Sequence, residues 1–113
     1  MLFRSPAGVA NTLLAVANAY AQLQQGARLE SVLEKLVKIS PDSPEAWYDL
    51  ASTEALLGKK NEALAALSKA LERSAHRLAQ NPQQRDLRKD AATNQSFAAL
   101  RALPEFLKII TAP

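Results

Sequence analysis

The sequence predicts an all-α fold of stacked helical hairpins, and three observations carry that prediction. Apolar residues make up 48% of the 113-residue chain but aromatics only 5%. Alanine and leucine therefore supply the core, which favours close helix packing over a sandwich or barrel. Apolar positions recur at spacings of three and four, the period of one helix face. The chain also echoes itself at an offset of 34 residues: Leu13 with Trp47, Val16 with Leu50, Ala17 with Ala51, Leu29 with Ala63, Leu33 with Leu67 and Leu36 with Ala70. A hairpin that cannot bury its apolar face alone does so by stacking on a copy of itself.

The first helix is expected to start at Ser5-Pro6, a cap followed by the residue that suits the first helical position, and to run to about Gln24. Gly26 is assigned the turn. The second helix spans about Arg28 to Ile39, with Leu29, Val32, Leu33, Leu36 and Ile39 on one face, and Ser40-Pro41-Asp42 ends it. Ser43-Pro44-Glu45 repeats the start signal, and a third helix follows from Pro44 to Leu57, stopped by Gly58. Trp47 falls on its buried stripe. The fourth helix begins near Asn61 with Ala63, Leu64, Leu67, Ala70, Leu71 and Leu78 facing inward. No proline interrupts it before Pro82, so it should continue to around Gln80.

Residues 81–93 read as a polar connection, extended or loosely helical. Asn94 is placed to cap a short helix carrying Phe97, Leu100 and Leu103, and Pro104-Glu105 opens a last one with Phe106, Leu107, Ile109 and Ile110. The expected organisation is a leader or non-native segment over 1–5, two helical hairpins over 6–80, the connection over 81–93 and a helical cap over 94–113.

The large and small apolar residues in these slots, Trp47, Leu50, Gly58, Ala63, Leu67 and Ala70 above all, resemble the tetratricopeptide repeat family. Residues 10–75 carry the resemblance. The segment Phe97, Leu100, Arg101, Pro104, Glu105, Phe106 and Ile109 resembles the tails of bacterial members. Ala51, Glu54, Ala75 and Leu29 depart from the usual pattern; Glu54 stands where an aromatic is frequent. The resemblance implies an α-α superhelix of two repeats that binds a protein or peptide partner and does no chemistry. Two repeats are fewer than such stacks usually need, so the tail as a third layer, a partner, a second copy, or further repeats of a larger chain should complete the stack.

The resemblance also implies a concave face drawn from the first helix of each pair: Asn11, Leu14, Asn18 and Gln22, then Glu45, Tyr48, Asp49 and Ser52. One variant of the family clamps a peptide's terminal carboxylate with cations. Here Asn18 matches one clamp asparagine, but Leu14 replaces a lysine and Asp49 an asparagine. Acids at Glu45 and Asp49 would repel a carboxylate, so a neutral or basic, partly apolar segment is expected instead.

Charge is unevenly spread. Residues 1–57 hold four Lys/Arg against six Asp/Glu, a net of −2, and residues 58–113 hold ten against five, a net of +5. Arg73, Arg77, Arg85, Arg88 and Lys89 form an alternative basic patch for a nucleic acid or an anionic membrane surface. The lack of interleaved aromatics and the presence of Asp86 and Asp90 disfavour nucleic acid. Homo-oligomerisation is the other alternative. With no cysteine and a single histidine, His76, no metal or cofactor site is indicated. Three scattered glycines offer no phosphate loop, and no enzyme constellation is present. Arg4, the run Ala7–Val16 and Ala17-Asn18-Ala19 mimic a secretory signal, but Asn11 and Thr12 break its apolar core. The cytoplasm is therefore favoured over the periplasm, and no run suits a membrane span.

Overall fold

Six α-helices and one 3-10 helix follow one another in the computed structural model, which describes residues 6–111. They are α1 (Pro6–Gln22), α2 (Gly26–Ile39), α3 (Pro44–Leu56), α4 (Lys60–Gln80), α5 (Leu87–Thr93), the 3-10 helix Gln95–Leu100, and α6 (Pro104–Thr111). Ser5 and the leader over 1–5 lie outside the described residues. No strand occurs among the described residues, and no helix there is long and apolar enough to cross a membrane.

α1 pairs with α2 and α3 with α4, and α2 packs on α3 to stack the two hairpins. The α3–α4 contact is the most extensive, because Ala51, Ala63 and Ala70 are fully buried and let the backbones approach. Val32, Leu33, Leu36 and Val37 of α2 fill the space between the hairpins.

α3 starts where the sequence signals it. The Ser43 side chain accepts the Ala46 N–H at 3.3 Å, and Pro44 occupies the first turn. It stops at Gly58, whose φ of +81° suits a residue without Cβ. The Lys59 N–H then reaches the Glu54 carbonyl at 2.9 Å and the Gly58 N–H reaches Ala55 at 3.1 Å, a Schellman closure.

The end of α1 repeats that closure 34 residues earlier. Gln25 N–H bonds Tyr20 carbonyl at 3.0 Å and Gln24 N–H bonds Ala21 at 3.1 Å. The left-handed residue is Gln24, with φ +56°. The turn assigned to Gly26 is thus made by Gln24, and α2 begins at Gly26. Glycine there is a closer fit and not a turn residue: a Cβ would come within 2.9 Å of a terminal methyl of the exposed, flexible Leu57 side chain, which would have to shift.

α4 runs through Gln80. Its extra turns form a platform for the tail. Buried Ser74 accepts the Leu87 N–H at 3.2 Å, and Leu87, Ala91, Phe97, Leu100 and Phe106 are all essentially inaccessible. Residues 81–86 turn the chain, and Asp86 caps α5 by accepting the Arg88 N–H at 3.0 Å. The expected connection is therefore partly a helix whose apolar side is buried. Asn94 does cap, accepting the Ser96 N–H at 2.9 Å, but the element it opens is 3-10. Phe97 sits 5.4 Å from the Tyr48 ring and 6.2 Å from the Phe106 ring, centroid to centroid.

Trp47 is half-buried rather than core. Its indole N–H donates to the Pro41 carbonyl at 2.8 Å, which holds one edge of the ring at the surface. The Lys69 ammonium lies 4.5 Å from the ring centre.

Candidate functional site

The first helices of the two hairpins, α1 and α3, wall a groove floored by leucines of α2. Two adjoining cavities of about 270 and about 180 Å³ lie along it. Leu14 and Asp49 line both. Asn18, Ala17, Ala21, Ser52 and Leu56 line the larger; Asn11, Glu45 and Ser43 line the smaller. Toward the hairpin turns the groove opens into an apolar recess of about 350 Å³ between Tyr20, Leu29, Leu56 and Leu57.

Six of the eight residues expected on the concave face therefore meet at this groove. Gln22, at the end of α1, is exposed and lines none of these cavities. Tyr48 is corrected outright: it is 4% exposed and lies under the tail. Its hydroxyl donates to an Asp90 carboxylate oxygen and accepts from the Asn94 amide at 3.0 Å. The tail covers it because Phe97, Leu100 and Phe106 need apolar cover, and the aromatic face of Tyr48 on α3 provides some of it. Sequence reasoning missed the leucines of α2, Ala21 and Leu56. Leu29 was visible as an oversized residue in a slot where a small one is usual.

The acids of the groove are in different states. Glu45 receives two hydrogen bonds from Arg77, at 2.8 and 2.6 Å, and these hold its carboxyl below the usual range. Asp49 makes no side-chain hydrogen bond or ion pair among the described residues. The residue is open to the groove, but its carboxyl is crowded by protein, and that desolvation pushes its pKa up to about 6. The Arg85 charge opposes the rise and the Glu45 charge adds to it.

The alternative basic patch is dispersed into internal contacts. Arg73 donates to the Pro41 carbonyl and lies over Trp47. Arg77 is bound to Glu45. Arg85 pairs with Asp90 at 3.2 Å and stands 5.8 Å from the Tyr48 ring centre. Arg88 is half-buried, and Lys89 is exposed. The hollow of about 680 Å³ beside Arg73, His76 and Arg77 is also lined by Asp42 and Glu72, so its charge is mixed. The described residues hold no cluster of three or more metal-ligating side chains.

Behind the groove, Glu30 and Glu54 are both buried between the hairpins. Glu30 is bound by Lys59 at 2.6 Å. One Glu54 oxygen is buried without a partner. Burial first, then the adjacent Glu30, pushes the Glu54 pKa up to about 7.

Two helical hairpins stacked side by side, with a groove along their first helices and a helical lid on the last, define a helical repeat protein. Two models of the tetratricopeptide repeat match the chain, over residues 10–53 and 44–77, together more than half of it. The chain belongs to the tetratricopeptide repeat family. No curated protein and no solved structure matches it. Repeats of this family generally mediate protein–protein interaction and are typically non-catalytic.

Proposed function

We propose that this chain is a non-catalytic interaction module that holds a segment of a partner protein in the groove between α1 and α3. One observation carries the reading: the two cavities adjoin, sharing Leu14 and Asp49 in their linings, and Leu14 is 42% exposed although it is a large apolar residue in the middle of a helix. Exposed apolar side chains beside convergent polar groups mark interaction surfaces. The groove follows α3, whose 13 residues give a length of about 20 Å. That accommodates a short helix or a few extended residues.

The test is selection of a random peptide library on the immobilised chain. Enriched peptides should bind the parent, fail on a folded Leu14→Glu variant, and bind Lys89→Glu normally. Retention by Leu14→Glu would place the working surface elsewhere.

A second reading rests on α1 itself. Its 17 residues contain no Asp, Glu, Lys or Arg, and Val16, on another face of the helix from Leu14, is 38% exposed. An uncharged apolar helix surface can pair with a second copy without like-charge repulsion. Sedimentation that shows a monomer at every concentration would dismiss this reading.

A further inference from the structure

Resting on the groove assignment, we propose that Asp49 is an anchor for a cation, and that the segment bound carries one lysine or arginine flanked by leucine-sized apolar side chains. The argument is one of charge complementarity within a shaped surface. Of the two acids in the groove, Glu45 is already neutralised by Arg77 through two hydrogen bonds. Asp49 has no such partner, and the cation nearest to it in charge effect, Arg85, is engaged with Asp90. Neither α1 nor the α2 leucines beneath the groove contribute any charge to it. Asp49 thus stands alone at the junction of the two cavities.

A carboxylate that is partly desolvated and unpaired costs free energy in the unbound protein. A ligand ammonium or guanidinium placed against it relieves that cost and makes a charge-assisted hydrogen bond. Apolar groups on either side of the cation then enter the hollows beside Leu14, Ala21 and Leu56. A segment with an acid at the central position meets the Asp49 charge and is repelled, which gives the groove its discrimination.

The same peptide selection separates this inference from the groove assignment. Lysine or arginine should be enriched at one position of the selected pool, with apolar residues around it. Asp49→Asn, which keeps the shape and removes the charge, should weaken those peptides about tenfold. Affinity of the parent should rise as pH goes from about 5 to about 7, because the anchor works only when ionised and its pKa is about 6. Its charged neighbours are Glu45 and the Arg85 guanidinium; Glu45 has a lowered pKa, so it does not titrate in that window. Asp49→Asn should flatten the pH profile. A pool lost on Leu14→Glu but lacking a cation preference, or bound equally by Asp49→Asn, would overturn the anchor and leave the groove standing. A pool indifferent to Leu14→Glu, or no enrichment at all, would overturn both.

Discussion

Leu14 and Tyr48 occupy the same place in two successive repeats, 34 residues apart, and they meet opposite fates. Leu14 is 42% exposed on the groove wall, whereas Tyr48 is 4% exposed and bonded to Asp90 and Asn94. Three residues further on, Ala17 and Ala51 are both buried, at 3% and 0%. The two pairs differ in what covers them. The alanines are covered within and between the hairpins, so both repeats treat them alike. Leu14 looks across the groove toward Asp49 and Ser52 of the next hairpin, which leave it open, whereas Tyr48 has the tail packed on it. In a helical stack the environment of such a position is a nearest-neighbour property.

The sharpest way to break this contrast is Phe97→Ala. Phe97 is fully buried between Tyr48 and Phe106, so its removal should cost about 3–5 kcal/mol in denaturant unfolding. Loss of less than about 1 kcal/mol would mean that the tail does not seal the second repeat. Trp47→Ala should cost somewhat less, about 2–4 kcal/mol, because the ring is only half-buried although it packs on α4. An unchanged melting temperature would refute the packing of α3 on α4 described above.

Tyr48→Phe tests the polar half of the seal. It removes the hydroxyl that holds Asp90 below its usual range and should cost about 1–2 kcal/mol at neutral pH. A carboxylate with a lowered folded-state pKa stabilises only where it is ionised. The difference between parent and variant should therefore shrink as pH falls below 3.8, the ordinary value for this group. A difference that persists unchanged in acid would assign the loss to packing instead.

Glu54→Gln is smaller and opposite in sign. The folded state raises the Glu54 pKa from 4.5 to about 7, so the folded chain binds more protons than the unfolded one in between. That group's contribution makes stability fall as pH climbs through this window and leaves the penalty in place above it. Glu54→Gln should flatten that segment of a stability–pH curve and gain about 1 kcal/mol above pH 7. Glu30, Glu34, Glu62 and Lys59 surround the site electrostatically, and a slope that survives the substitution would show that Glu54 is not its source. The smallest effect belongs to Leu14→Ala, at about 0.5 kcal/mol or less, since the residue already faces solvent. A loss comparable to that of Phe97→Ala would abolish the contrast between the repeats.

Much of this was readable along the chain. Helix starts at Pro44 and Pro104, the stop at Gly58 and the reach of α4 to Gln80 all follow from short-range chemistry: caps, fixed proline torsions and a left-handed glycine. Where two local solutions exist, the reading failed. The sequence reading runs α1 to about Gln24 and gives the turn to Gly26, whereas Gln24 itself takes the left-handed conformation. What a Cβ at Gly26 would meet first is a terminal methyl of Leu57, a residue distant in sequence. Glu54 was visible as an acid in an aromatic slot, but nothing local announces that Glu30 and Lys59 converge beside it. The groove residues Asn11, Leu14, Asn18, Glu45, Asp49 and Ser52 came as a set from the resemblance to the repeat family, which assigns the inner face to the first helix of each pair.

The sequence by itself determined the repeat: its 34-residue period, the starts of α3 and α6, the stop at Gly58 and the small residues that let α3 and α4 pack closely. These depend on neighbours within a turn or two, and local spacing encodes them. Only the tertiary structure decided which concave positions stay open. The tail folds back over Tyr48 and leaves Leu14 bare, Arg77 is spent on Glu45, and Asp49 is left without a counter-ion. Those outcomes depend on side chains that stand about 30–45 residues apart in sequence, as Glu45 and Arg77 or Tyr48 and Asn94 do. Periodicity along the chain carries no information about which of them will meet.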